Sequence, residues 1–246
     1  TDTDSSTVTV KGTLTATTDQ LHKIITLDDL AVDGAFTLDP DGTGAVTIVN
    51  AVNLNLAAST MGGTFIGTAT TGDISDSGNL AITGAATFIT TANNRSIILD
   101  QSGNAFTSTV TMQAGNGSSA FNNITFVDSA DVRLHSSAAS AGDLYINAGT
   151  DLAVGGALII TATTGNITQG AELTVGATST FTTSASNGTI TLNDADNTFT
   201  GAVALNTNGS SGNATIKNDR ALLLAASSVG GAFIATATAG NITQTG

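Results

Sequence analysis

The chain has no cysteine and no tryptophan, one proline, one tyrosine and only six basic residues among its 246. Without cysteine there is no disulfide framework. The two histidines, His22 and His135, have neither a second histidine nearby nor a thiolate, so a zinc site lacks its ligands. The six basic residues face 19 acidic ones, and the net charge of −13 leaves no basic surface for a nucleic acid or an anionic membrane. No run of 18 apolar residues is present to insert into a bilayer as a helix. The opening "TDTDSSTVTV" lacks the apolar stretch of a signal peptide, which reads as a mature product or a fragment. Charged residues make up 10% of the chain against about 25% in average domains, so whatever covers this surface is mostly uncharged.

Threonine is that cover, with 45 residues, and 28 glycines accompany it. The apolar fraction of 40% is too high for a flexible linker and sufficient for a sizeable core. Abundant Thr, Val and Ile with regular Gly and Asn predicts many short strands joined by tight bends.

The sequence also repeats itself. "MGGTFIGTATTGDISDSG" from Met61 returns as "VGGALIITATTGNITQGA" from Val154 and as "VGGAFIATATAGNITQTG" from Val229, a 93-residue spacing followed by a 75-residue one. Residues 100–119 align without gaps on 193–212, and residues 42–63 on 210–231. The 18-residue difference between the spacings falls near "HSSAASAGDLYINAGTDL" (135–152), which predicts one whole inserted unit and an elementary unit of about 18–19 residues. The chain then divides into a partial repeat (1–61), a long repeat (62–154), a shorter one (155–229) and the start of the next (230–246).

Within each unit the apolar residues alternate, as in "TVTV", "TITL" and "AVTIV", which is the period of a strand. Short strands recurring in units of this size predict an all-β, right-handed parallel β-helix, a β-solenoid whose successive coils stack in register; the hand follows the general rule for parallel crossovers. Ala, Val, Ile, Leu and Phe are expected inside, among them Ile159 and Phe199, with Thr outside and Gly and Asn at bends of positive φ.

"VGGALIITATTGNITQ", "LTVGATSTFTT", "GTITLNDADNTFTGAV" and "LLLAASSVGG" resemble the long repeats of filamentous haemagglutinin-type adhesins, large bacterial exoproteins of which many leave the cell by two-partner secretion. The resemblance covers essentially the whole chain. It implies a secreted or cell-surface protein, a stiff rod or fibre with a stalk or adhesive role, and no catalytic residues to transfer. The partners it implies are host or neighbouring-cell surface glycans or proteins.

Candidate sites are few. "LDPDGTG" (38–44) has the D-x-D-G core of a calcium loop, which makes Asp39 and Asp41 candidate calcium ligands, although its repeat equivalent "LNTNGSS" has no carboxylate. The acidic pairs Asp28/Asp29, Asp128/Asp131 and Asp194/Asp196 have the composition of a polysaccharide-degrading centre but neither long loops nor aromatic residues around them. Asn123, Asn166, Asn187, Asn213 and Asn241 stand in glycosylation sequons, which a repeat rich in Asn, Ser and Thr multiplies by chance. Thr68/Thr70, Thr161/Thr163 and Thr236/Thr238 sketch a Thr ladder of the ice-binding kind, once per repeat rather than on every coil. These patterns predict a non-enzymatic structural or adhesive segment without cofactor. A polysaccharide-binding or polysaccharide-degrading module and an ice-binding protein are the alternatives. The two ends fall at nearly the same repeat phase, which predicts that coils stack across them, in a longer chain or head to tail between copies.

Overall fold

The computed structural model describes residues 6–114, 123–129, 132–134, 144–146 and 152–246. The chain divides into two compact units, Thr1–Asn122 and Asn123–Gly246. The first holds β1 (Val8–Val10), β2 (Leu14–Thr18), β3 (Ile25–Val32), β4 (Ala35–Pro40), β5 (Val46–Asn50), β6 (Leu54–Leu56), β7 (Ser59–Met61), β8 (Phe65–Ala69), β9 (Ile74–Asp76), β10 (Leu80–Ile82), β11 (Ala86–Thr90), β12 (Ile97–Leu99), β13 (Ala105–Phe106) and β14 (Thr109–Ala114). The second holds β15 (Ile124–Asp128), β16 (Val132–Leu134), β17 (Leu144–Ile146), β18 (Leu152–Val154), β19 (Leu158–Ala162), β20 (Ile167–Gln169), β21 (Leu173–Val175), β22 (Ser179–Ser186), β23 (Ile190–Leu192), β24 (Thr198–Phe199), β25 (Val203–Asn208), β26 (Ala214–Asn218), β27 (Leu222–Leu224), β28 (Phe233–Ala237) and β29 (Ile242–Gln244).

In the first unit three sheets form the faces of a coil, in the orders β1-β3-β5-β8-β11-β14, β2-β4-β6-β9-β12 and β7-β10-β13. The second unit repeats the plan with β17-β16-β20-β23-β26-β28, β15-β19-β22-β25-β27-β29 and β18-β21-β24. Ladders run parallel throughout, as in β5 on β8 and β19 on β22. No described residue is helical. The fold is the expected parallel β-solenoid.

The coil is longer than expected. It takes about 22 residues, against the elementary unit of about 18–19 residues read from the repeat spacings. Its length also varies: Val46 pairs with Phe65 on the next coil, Val8 with Leu30, and Ala86 with Val110, each step longer than the one before. The 75-residue sequence period is therefore not a whole number of coils. From Leu158 the ladder passes through Ser179 and Val203 to Leu224, which completes three coils. The repeat equivalent of Leu158 is Phe233, which lies beyond Leu224, and its strand β28 belongs to the neighbouring sheet of that unit. Each 75-residue repeat thus advances three coils and one face. The predicted insert at 135–152 lies largely outside the described residues; of it, β17 adds a strand parallel to β16, with Val132 beside Leu144.

Alternation decides which residues go inside. In β8 Phe65, Gly67 and Ala69 are buried while Ile66 is exposed, and in β19 Leu158, Ile160 and Ala162 are buried while Ile159 is 40% exposed. Ile159 therefore faces outward, contrary to the sequence-based expectation, and so do its repeat equivalents Ile66 and Ile234. The run "ALII" has no polar residue to mark the parity, and a one-residue slip inverts every assignment in a strand. Phe199 is inside as expected. The interior is packed by aromatic stacks: Phe65, Phe88 and Phe106 follow one another at centroid distances of 5.3 and 6.1 Å, and Phe181 meets Phe199 edge-on at 6.0 Å. Such tilted pairs add about 0.5–1.5 kcal/mol each beyond the area they bury.

Most glycines serve close approach rather than positive φ. A Cβ on Gly62 would overlap the carbonyl oxygen of Gly42 on the preceding coil, and one on Gly63 those of Thr43 and Gly44. At the third copy of the motif, Gly230 would meet the Gly209 oxygen and Gly231 the Asn213 side chain. The paired glycines recur because the corner there brings two coils together backbone to backbone. Among non-glycine described residues only His22, Asn94 and Asn187 have positive φ, so the expectation that bend asparagines adopt it holds for two of them.

Candidate functional site

The corner asparagines have a different task. The side-chain oxygen of Asn53 accepts the N–H of Asp73, that of Asn166 the N–H of Thr189, that of Asn187 the N–H of Ser211 and that of Asn213 the N–H of Ala232, at 2.8–3.0 Å. Each bond runs from one coil to the next, at a place where the chain bends and the ladder cannot supply an acceptor. Asn123 does the same for Ala157. Four of the five sequon asparagines are thus inter-coil acceptors, and Asn241 is exposed on the last coil. His22 occupies the same kind of corner: at φ 62° its Nδ1 accepts the Thr43 N–H and contacts the Thr43 hydroxyl at 2.7 Å. His135 lies outside the described residues.

Asp39 and Asp41 sit at the rim of an open groove of about 630 Å³ in the first unit, with Thr17, Thr18, Asp19, Thr60 and Thr83 around them. Strand β4 puts Asp39 outward beside Thr17, and Pro40, which is buried, turns the chain into Asp41. The Asp41 N–H donates to the Thr18 hydroxyl, and its carbonyl accepts the His22 N–H. Both carboxylates are exposed. Among the described residues no three His, Cys, Asp or Glu side chains converge as a metal-binding group. The groove is thus rich in acceptors and hydroxyls, the chemistry that meets the hydroxyls of a sugar or water.

Asp194 Oδ1 caps the N–H of Asp196, two residues on, at 3.0 Å, and Asp196 is exposed. Asp28 and Asp29 lie in β3 where its register with β5 shifts. Asp128 is fully buried, and Asp131 lies outside the described residues.

The concentrated polar chemistry is internal, and the sequence reading missed it. Asp76 is buried, and its carboxylate accepts the Asn104 amide at 2.6 Å and the Asp100 N–H at 2.9 Å. Asn104, fully buried, accepts the Leu80 N–H. The equivalents in the next repeat are Gln169 and Asn197. Gln169 Oε1 accepts the Asn197 amide at 3.0 Å, and Asn197 Oδ1 accepts the Leu173 N–H at 2.9 Å. A half-buried glutamine and a buried asparagine in one repeat are a buried acid and amide in the other. Asn104 and Asn197 align in sequence, which is the available signal; that they meet residue 76 or 169 depends on the coil length.

Burial lifts the Asp76 carboxyl above its ordinary value, against the bonds from Asn104, Asp100 and Gln101, and the nearby Asp100 charge adds to the rise. The folded value then exceeds the unfolded one. The folded state binds the proton first as pH falls, so stability rises on acidification between the raised value and the ordinary one. The Asp76→Asn variant removes this contribution. The melting temperature of the native chain, taken relative to that variant, is expected to increase from neutral to mildly acid pH; parallel pH profiles would show that Asp76 carries no penalty.

The model of a family described as repeats of unknown function (DUF5649) matches the chain over residues 43–113, 137–206 and 211–246. The matched segments that start at 43 and 211 keep the phase in which residues 42–63 align on 210–231. A comparison with curated proteins and one with solved structures found no match.

Proposed function

Since the chain belongs to the DUF5649 repeat family, we propose that it is a structural and adhesive segment of a secreted or cell-surface bacterial repeat protein of the filamentous haemagglutinin kind. The observation that carries this reading is how the coils are joined. Among the described residues of each unit, neighbouring coils are joined by parallel ladders, with corner asparagines and stacked interior side chains adding to them, an arrangement in which a further repeat adds length without altering the existing contacts. The exterior of threonine and asparagine with few charges suits a spacer that holds a binding surface away from a cell. A protein with this role needs neither cofactor nor catalytic centre.

The groove at Asp39 and Asp41 supports a second reading, a polysaccharide-binding module, because it clusters hydroxyls and carboxylates that could bind sugar hydroxyls or share a calcium ion with them. One pair of measurements separates the readings. Antibody labelling of intact cells tests surface exposure, and a glycan array with and without calcium tests the groove. Surface labelling with no glycan signal favours the spacer. Glycan binding lost in the Asp39→Asn, Asp41→Asn double variant favours the module. A protein found only after cells are permeabilised overturns the surface assignment.

A further inference from the structure

An asparagine followed by glycine can modify itself, because glycine puts no side chain in the way of its own nitrogen as it attacks the asparagine side chain. The chain has three such pairs, Asn116–Gly117, Asn187–Gly188 and Asn208–Gly209. The first lies outside the described residues. The sequence ranks the other two as equals, since a small hydroxyl residue, Thr189 or Ser210, follows each. Their hydrogen bonds separate them.

Both asparagines are exposed, so access to water does not decide between them. At Asn187 both reacting groups are held. Its side-chain oxygen accepts the Ser211 N–H at 3.0 Å, and the N–H of Gly188, which is buried, donates to the Ala185 carbonyl at 3.1 Å. At Asn208, the last residue of β25, the side chain makes one bond, from its amide to the Ser184 carbonyl at 3.1 Å, on the surface where water can replace it. The Gly209 N–H has no acceptor among the described residues. Coils lie on both sides of this corner: the Asn187 N–H donates to the Asn208 carbonyl at 2.7 Å from one side, and Gly230 packs on the Gly209 carbonyl from the other. The free N–H therefore belongs to the turn itself. Gly209 has φ 84°, and the turn closes through its carbonyl, which accepts the Gly212 N–H at 3.0 Å.

We propose that Asn208–Gly209 is a site of spontaneous deamidation and isomerisation in the folded protein, and that the fold protects Asn187–Gly188 from the same reaction. The Gly209 nitrogen gives its proton to hydroxide and bonds to Asn208 Cγ. The Cγ–Nδ2 bond breaks and Nδ2 leaves as ammonia, which closes a succinimide ring. Water then opens the ring. Addition at Cγ breaks the new Cγ–N bond and leaves aspartate. Addition at the backbone carbonyl carbon breaks its bond to the Gly209 nitrogen and leaves isoaspartate, whose chain runs on through Cγ. Water is consumed and ammonia released, with nothing oxidised or reduced. The two products differ in their effect on the fold. Aspartate keeps the path of the chain and gives up only the exposed bond to Ser184. Isoaspartate adds an atom to the backbone where there is no space for it: a Cβ on Gly209 would already overlap the Asn187 side-chain oxygen, and one on Gly230 the Gly209 carbonyl oxygen. Isoaspartate therefore loosens the contact between coils at this corner. The reaction needs only water and stands independently of the adhesive reading.

The test is peptide mapping by mass spectrometry, with fragmentation that distinguishes isoaspartate from aspartate, on the chain kept at mildly alkaline pH. One sample is folded and the other is held in guanidinium, with circular dichroism showing it unfolded. In the folded chain, product at Asn208 is expected to form at least about tenfold faster than at Asn187. In the unfolded chain the two rates are expected to become similar. The isoaspartate form, separated by chromatography, is expected to melt lower than the native chain by about 2 °C or more, while the Asn208→Asp variant melts close to the native chain. Equal rates at the two sites in the folded chain, no product at Asn208, or an isoaspartate form that melts with the Asn208→Asp variant overturns the proposal.

Discussion

Aspartate in place of Phe199 is expected to cost at least about 4 kcal/mol, while aspartate in place of Ile159 costs about 1 kcal/mol or less. Phe199 is 1% exposed and packs edge-on against Phe181. Truncating a buried phenylalanine alone costs about 3–5 kcal/mol, and among the described residues no buried cation is there to balance a carboxylate. Ile159 is 40% exposed on the outer side of β19, between Thr125 and Thr180 on the neighbouring strands. A charge there remains in water and gives up only strand propensity and a partial apolar contact. Chemical denaturation of the two variants measures the difference. Similar losses at both positions would mean that the inward and outward sides of β19 are not those described.

The contrast between these two residues shows what could be read in the sequence. Parallel stacked coils follow from strand-period alternation combined with a long repeat, and neither needs three-dimensional information. Phe199 can be assigned because polar Thr198 and Thr200 flank it and fix its parity. Ile159 cannot, because Leu158, Ile159 and Ile160 are all apolar, and only the pairing with β15 and β22 decides which of them turns inward. The coil length is hidden for a related reason. The difference between the two sequence periods reads as one unit, but a repeat that advances three coils and one face makes the shorter period no multiple of a coil. The glycine pairs are visible as a motif, yet their cause, the backbone of the preceding coil, lies a full turn back along the chain. The turn at Asp39 and Asp41 is legible in "LDPDGTG", whereas the groove around it is assembled with Thr17, Thr60 and Thr83 from other coils, which no local pattern announces.

Replacing Asn218 by alanine is expected to destabilise the second unit by about 2–5 kcal/mol, and Asn50→Ala the first by a similar amount. Both asparagines are fully buried at the end of a five-residue strand. Asn218 Oδ1 accepts the Phe199 N–H at 2.8 Å, and its amide donates to the carbonyls of Phe199 and Ala221 at 3.2 and 2.9 Å. Asn50 repeats the arrangement with the Val32 N–H at 2.8 Å and the carbonyls of Val32 and Asn53 at 3.0 and 2.6 Å. In each case one side chain takes the place of a neighbouring strand: it bonds both backbone groups of a residue on the preceding coil, then ties down the turn that follows. Strand β24, which ends at Phe199, has β21 on one side, and Asn218 supplies bonds on the other. The coil then proceeds directly to β27, and this shortening is where the 75-residue repeat moves on by one face. Alanine leaves one buried N–H and two carbonyls without partners, at about 1–3 kcal/mol for each group that water does not reach. Aspartate separates bonding from packing. It has the same shape and can accept from Phe199, but it cannot donate to the two carbonyls, so Asn218→Asp is expected to lose at least as much stability as alanine at neutral pH. Denaturant unfolding of Asn218→Ala, Asn218→Asp and Asn50→Ala measures these costs, and an aspartate variant as stable as the native chain would show that the two donated bonds do not hold the corner.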